Sequence, residues 1–364
     1  MKRKSEFCIY LFSCFLFAFS QVGIDCYGQS KTRSTLEKCF DNPPHESFPG
    51  VYWYFMDGNI SKEGMTKDLE SMKKAGLEHL IYLEVNVGIP RGNVNFLSDE
   101  WVGLFKHAVH EAERLGIDIT LGVGPGWTGS GGPWVQPNQS MQHLVSSSVE
   151  VNGGQRVKIH LDTPLPRKPY FGEHTLTPDL KKQWLEFYED VAVIAFPSVD
   201  GKGIIQDIDE KSLVYRAPYS SARNVKQFLP MFADYPKLDT SSVVSSDKII
   251  DLTAYMDHEG MLEWQAPEGK WTIVRFGRRN NGAVTRPAPL PGLGFEVDKF
   301  DTLALRSHLD AFTGKLFHEL GLSQKKGNKG GLKMLHMDSW EMGAQNLLLS
   351  NHLIATLRGS YFFI

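Results

Sequence analysis

The chain has 364 residues, a formal charge of -3, 41% hydrophobic and 22% charged side chains. That is a globular composition, with room for two or three domains or for one barrel with an insertion. A near-neutral charge gives no electrostatic grounds for binding nucleic acid or an anionic membrane. The four cysteines form neither a disulfide framework nor a metal-type spacing, so a buried core must carry the stability.

Lys2, Arg3 and Lys4 precede the apolar run from Cys8 to Ser20, which has signal-peptide length and is short for a membrane span. Ala18 and Ser20 are small residues suited to a cut after Ser20; a later cut near Gly28 and an uncleaved anchor are the alternatives. A secreted or periplasmic location is expected. Residues 21–47 read as a polar leader.

The first element is Val51 to Met56, whose near-continuous apolar and aromatic run predicts a strand buried on both faces. Asp57-Gly58-Asn59 signals a turn. Ser61 is the expected N-cap of a helix to Ala75, with Met65, Leu69, Met72 and Ala75 at helical spacing and Gly76 as its stop. Leu80 to Val85 predicts a second strand. Ser98 caps a second helix to about Leu115, whose stripe includes Trp101, Phe105, Ala108, Val109 and Ala112, and Gly116 ends it. Ile117 to Gly122 is the third strand. Strands alternating with helices over short joints predict right-handed βαβ units and a parallel sheet, either doubly wound or barrel-like. No G-x-G-x-x-G follows the first strand, which disfavours a dinucleotide fold.

Seven of the eleven residues from Gly124 to Trp134 are Gly or Pro. Such a loop turns repeatedly or approaches something closely, so it is either substrate-facing or rigidly structural. From about Leu144 to Asn281 short alternating stretches predict a mostly β insertion: Val149–Leu161, Val191–Phe196, Val243–Leu252 and Trp271–Phe276. Trp184 to Asp190 reads equally as a helical turn or a strand. The βα pattern resumes with Gly294–Asp298, a helix from Thr302 to Leu320 and a strand from Leu332 to Met337. That strand delivers Asp338, Trp340 and Glu341 at its end, where α/β barrels keep their reactive groups. Glu341 is the candidate general base and Asp338 a candidate for binding substrate or metal; the plain alternative is a solvated turn with a packed Trp. About five βα-type strands are legible, against the eight of a closed barrel.

The stretches V-Y-W-Y-F-M-D-G-N-I-S-K-E-G-M-T-K-D-L-E-S-M-K-K-A-G, F-L-S-D-E-W, G-P-G-W-T-G-S-G-G-P-W and H-M-D-S-W-E together resemble the N-terminal half of glycoside hydrolase family 106, the α-L-rhamnosidases. The similarity runs from about Pro43 to Asn346. The resemblance implies an α/β fold, a (β/α)8 TIM-type barrel interrupted by β domains. It also implies inverting hydrolysis of terminal α-L-rhamnosides of plant-type glycans, with calcium at the substrate. Inversion needs two carboxyl groups roughly 6.5–9.5 Å apart, one of them a base acting on water. Glu341 suits the base by the family's pattern, and the acid is expected from a later barrel strand that this chain does not have. Asp57, Asn59 and Glu84 fall at or just after strand ends, so they are candidate substrate-binding residues. Trp127 and Trp53 are candidates for stacking on a sugar, with core packing the alternative for Trp53. His336 reads as a core histidine, and Arg278-Arg279-Asn280-Asn281 as a solvated turn or a reach toward substrate.

The family continues beyond D-S-W-E through Q-N-W, whereas here Leu347 follows Gln345-Asn346 and the tail 347–364 has no acidic residue. A frameshift or truncation near position 347, and an inactive or impaired fragment, are expected. A non-catalytic carbohydrate-binding or degenerate protein is the alternative. The expected parts are 1–20 signal, 21–47 leader, 48–143 first barrel part, 144–290 β-rich insertion, 291–346 barrel continued and 347–364 aberrant tail.

Overall fold

The computed structural model describes residues 35–169, 172–199, 240–321, 330–338 and 348–349. The expected signal segment, Trp340, Glu341 and nearly all of the 347–364 tail lie outside them. The chain forms two units, Met1–Pro49 and Gly50–Ile364. In the first, α1 (Thr35–Asp41) carries the exposed Cys39. No described helix is long and apolar enough to cross a membrane.

The second unit holds a four-stranded parallel sheet in the order β1 (Gly50–Met56), β2 (His79–Val85), β3 (Asp118–Gly122), β12 (Gly331–His336). The connecting helices α2 (Lys62–Lys74) and α3 (Asp99–Leu115) start where the sequence places their caps. Ser61 Oγ accepts from the Gly64 N–H at 3.1 Å and Ser98 Oγ from the Trp101 N–H at 3.2 Å. Gly76 and Gly116 both have positive φ, 79° and 68°, the left-handed turn that a β-carbon disfavours. Trp53, Phe55, Tyr82, Ile119 and Leu121 pack under the buried stripes of α2 and α3.

The other face of the sheet differs from expectation. Val51–Met56 is not buried on both sides: Tyr52 is 53% exposed, and Tyr54 and Met56 are also exposed. Trp53 and Phe55 alternate with them because successive side chains of a strand point to opposite faces. An aromatic run hides this alternation, since Tyr and Trp carry similar apolar surface whichever way they point.

Between β3 and β12 lies the β-rich part, which one short strand after β12 joins. Its five-stranded antiparallel sheet runs β13 (Leu348–Leu349), β5 (Gln142–Asn152), β10 (Lys270–Asn280), β7 (Glu189–Pro197), β8 (Ile250–Asp251). A second ladder joins β6 (Arg156–His160) to β9 (Met261–Gln265). Val157, Leu262 and Trp264 from this ladder share a core with Val193, Trp271 and Ile273 from the larger sheet. The predicted stretch Val149–Leu161 is two strands, turned at Gly153-Gly154, where Gly154 has φ 78°. Val243–Leu252 holds one 3-10 turn, Ser246–Lys248, and the two-residue β8 rather than a full strand; the Asp247 and Asp251 carboxylates bond locally to Ser245 Oγ and to Thr253. Trp184–Asp190 divides between α4 (Pro178–Glu186) and the start of β7.

The stretch Arg278–Asn281 is neither a solvated turn nor free to reach a substrate. Arg278 pairs with Glu189, and Arg279 donates to the carbonyls of Pro164, Leu185 and Phe187. Asn280 and Asn281 are buried and cap the following backbone N–H groups of Gly282 and Ala283.

The predicted helix Thr302–Leu320 is α5 (Thr302–Leu309) and α6 (Lys315–Leu320) joined by a π turn, Asp310–Gly314. Asp301 caps it by accepting from Leu303 and Ala304. Phe312 and Leu316 complete the core beneath the parallel sheet.

Candidate functional site

The ends of β1, β2, β3 and β12 lie side by side, because the strands are parallel and neighbours. The turn after β1 begins at Asp57, a non-glycine residue with φ 46°. Asp57 is 5% exposed, and its Oδ1 is buried with no hydrogen-bond partner among the described residues. Its carbonyl accepts from the Gly92 N–H at 2.8 Å, and the Gly58 carbonyl accepts from Val94. The loop after β2 is thereby tied to the turn after β1. Asn59 stays exposed, its side-chain amide donating to the carbonyls of Met56 and Pro90.

Glu84, at the end of β2, is buried. Its Oε1 accepts from the Gly58 N–H at 3.1 Å and its Oε2 from the Trp101 indole N–H. Burial pushes its carboxyl up to about 7; the Trp101 and Gly58 bonds oppose this, the Asp57 charge adds to it and Arg91 opposes it. Both oxygens of Glu84 are therefore occupied by the protein itself. Trp53, the other candidate for stacking, is core and donates from its indole to Asp68 at 3.0 Å.

After β3 the Gly-Pro loop is held from several directions. The Gly126 N–H donates to the Glu84 carbonyl and the Trp127 N–H to that of Arg286. Thr128 Oγ1 donates to Glu296 Oε1 at 2.7 Å, and Ser130 Oγ donates to Glu296 Oε2. Glu296 comes from β11 (Phe295–Glu296), which pairs with β4 (Gly131–Gly132) at the far end of the same loop. His308 of α5 lies beneath Gly129. Its Nδ1 accepts from the Trp134 indole at 3.0 Å, which leaves Nε2 as the donor to the Gly129 carbonyl at 3.1 Å. Burial lowers the His308 pKa to about 4, so the ring is neutral at pH 7.

Within this packed loop, Trp127 alone among the aromatic side chains is exposed, at 47%. The last described residue of the β12 segment, Asp338, is also exposed, and its backbone N–H donates to the Thr128 carbonyl at 3.1 Å. Trp127 and Asp338 therefore stand one residue apart across a backbone hydrogen bond. Tyr54 of β1 shares the same surroundings: its phenol pKa is raised by desolvation, by Tyr52 and by the Asp338 charge. His336 is half-buried on β12, and its Nε2 finds no partner among the described residues. Glu341 falls outside the described residues.

The structure thus brings Trp127 and Asp338 together and places Tyr54 near them. Asp57 and Glu84 form a neighbouring buried pair. Sequence reasoning missed Tyr54, Glu296 and His308. Only the β alternation could have revealed Tyr54; the other two act through contacts with residues more than 160 positions away.

An exposed indole and an exposed carboxylate thus lie on loops after parallel strands, where functional groups commonly sit. The chain belongs to glycoside hydrolase family 106, whose model is described as alpha-L-rhamnosidase and matches residues 41–359. It is 35% identical over 302 residues to a Formosa agariphila protein named "Putative beta-glucuronidase", a match covering 82% of this chain and 24% of that protein. It is also similar to a rhamnosidase structure from Novosphingobium sp. PP1Y, with a TM-score of 0.64 and 25% identity. That match covers 85% of this chain and 40% of the solved one, so the chain spans well under half the length of either relative.

Proposed function

We propose that the protein acts on terminal α-L-rhamnosides of plant-type glycans through an inverting mechanism, on a TIM-type barrel scaffold, after export from the cytoplasm. The observation that supports this best is the hydrogen bond from the Asp338 N–H to the Thr128 carbonyl, next in the chain to the exposed Trp127, at the strand ends of a member of the rhamnosidase family. Trp127 supplies an apolar face for the sugar ring. Asp338 accepts from sugar hydroxyls. Glu341, three positions further, removes a proton from the attacking water. Neither Glu84 nor Glu296 competes for that role, since both oxygens of each already accept from protein donors. The proton donor to the leaving oxygen is a second carboxylic acid, outside the described residues.

Calcium suits this site in kind. Asp338 offers an exposed carboxylate at the strand ends, and Asp57, in the turn after β1, a buried carboxylate oxygen with no partner among the described residues; each is the kind of hard oxygen donor that calcium takes. When bound, calcium would fix hydroxyls of the sugar. The name of the Formosa relative keeps a glucuronide-type substrate as a second possibility to assay.

The test uses the purified chain, calcium and an aryl α-L-rhamnoside, with an aryl β-glucuronide in parallel. Release of β-rhamnose from the rhamnoside that is weak at best, followed by NMR and abolished in Glu341→Gln, is the expected result. Binding of the rhamnoside without release in the unsubstituted protein would instead make this a carbohydrate-binding protein. Glucuronide cleavage alone would overturn the rhamnoside assignment.

A further inference from the structure

We infer that Glu296 is a positioning residue, fixing the sugar-facing indole of Trp127 and the backbone of Asp338 together. The inference rests on the functional reading above, because it takes Trp127 as the sugar platform. A loop with seven Gly or Pro residues in eleven has little side-chain packing of its own to fix its course. Its order must come from outside, and beside the backbone bonds of Gly126 and Trp127 and the His308 contact, Glu296 supplies the side-chain part of it. The two hydroxyls it accepts from flank Gly129, on the two residues that follow and nearly follow Trp127. Lys299 Nζ sits 3.3 Å from Oε2, so the carboxylate is buried with a neighbouring cation. Removing that carboxylate leaves two hydroxyls without their acceptor in a dry site, which the loop can relieve only by moving.

The same residue carries the constraint onward. Thr128 gives its hydroxyl to Glu296 and its carbonyl to the Asp338 N–H. A shift of Thr128 therefore moves the exposed indole before it and the acidic loop after β12 at once. Both groups would contact a sugar, and positional errors at binding groups are costly.

The experiment labels the full chain with 5-fluorotryptophan and assigns the Trp127 line among the eight tryptophans by Trp127→Phe. The probe is methyl α-L-rhamnopyranoside. In Glu296→Ala the Trp127 line should shift or broaden while the lines of core tryptophans stay put. The Kd should rise by roughly tenfold or more, modest beside the hundredfold that a misplacement of about 1 Å can cost. Glu296→Gln keeps one acceptor and should recover part of both effects. Thr128→Val with Ser130→Ala removes the same bonds from the other side, and should also shift or broaden the Trp127 line, which decides the matter where Glu296→Ala does not fold. An unmoved Trp127 line and unchanged Kd in every folded variant would overturn the inference. If the unsubstituted chain does not bind the probe, the functional reading fails, and the fluorine lines alone decide whether Glu296 positions the loop.

Discussion

Glu84 and His308 are buried titratable groups that work against each other. Glu84 holds its proton to about pH 7 in the fold, against 4.5 for an ordinary glutamate. Between those values the folded state carries one proton more than the unfolded state, so Glu84 makes stability fall as pH rises. His308 releases its proton at about 4 in the fold, against 6.5 for an ordinary histidine. Between those values the folded state carries one proton fewer, so His308 makes stability rise with pH. Each slope reaches at most about 1.4 kcal/mol per pH unit, and the two windows overlap from roughly pH 4.5 to 6.5, where they offset. Stability should therefore be nearly flat there in the unsubstituted protein. Glu84→Gln should leave a rising slope, along with an offset of about 1–3 kcal/mol from the N–H, of Trp101 or of Gly58, that then faces the amide nitrogen and loses its acceptor. His308→Gln should leave a falling slope. Urea midpoints at pH 4.5, 5.5 and 6.5 decide the matter, and slopes of the same sign in the two variants would refute it. Neither shift is legible in the sequence. Glu84 can be picked out as a strand-end carboxylate, but its removal to the helix-packed side depends on Trp101, seventeen residues on.

At the scale of elements, the legible parts are those set by local chemistry. The caps Ser61 and Ser98 and the stops Gly76 and Gly116 act within a few residues of themselves, and the helices begin and end beside them. Elements held by distant partners were harder to read: β4 and β11 are two residues each and exist because Gly131 and Glu296 pair across the insertion. The tie between the loops after β1 and β2 is of the second kind, and it depends on glycine. Gly58 has φ 77°, and a β-carbon there would overlap the carbonyl of Val94. A β-carbon on Gly92 would in turn overlap the Gly58 carbonyl. Gly58→Ala should therefore cost more than the roughly 1 kcal/mol typical of a left-handed position alone. It should also release the Glu84 and Asp57 contacts at this rim. Hydrogen exchange would show this as faster exchange at Gly58, Gly92 and Val94, with the core of α3 unchanged. Slow exchange at all three in a variant of normal stability would contradict this account.

At the scale of the molecule, the parallel sheet has one face sealed and one largely open. Trp53, Phe55, Tyr82, Phe105 and Phe312 pack on one side. On the other, Tyr52 and Tyr54 stack with centroids 5.3 Å apart and lie exposed along β1. The fourth strand is exposed on both sides, with Met334 at 51% and Leu335 at 47%. Among the described residues β1 and β12 are also the outer strands of this sheet, each with an edge of backbone donors and acceptors that no described strand pairs. An apolar face bordered by open edges favours association between chains. The purified chain should therefore bind a hydrophobic dye in its native state and self-associate at micromolar concentration. Met334→Lys together with Leu335→Glu should reduce both without loss of thermal stability, because neither side chain is in the core. Sedimentation velocity separates the outcomes: a substituted chain that associates as strongly as the original would show that the contact lies elsewhere. A monomeric original that binds no dye would mean that the open face is covered in solution.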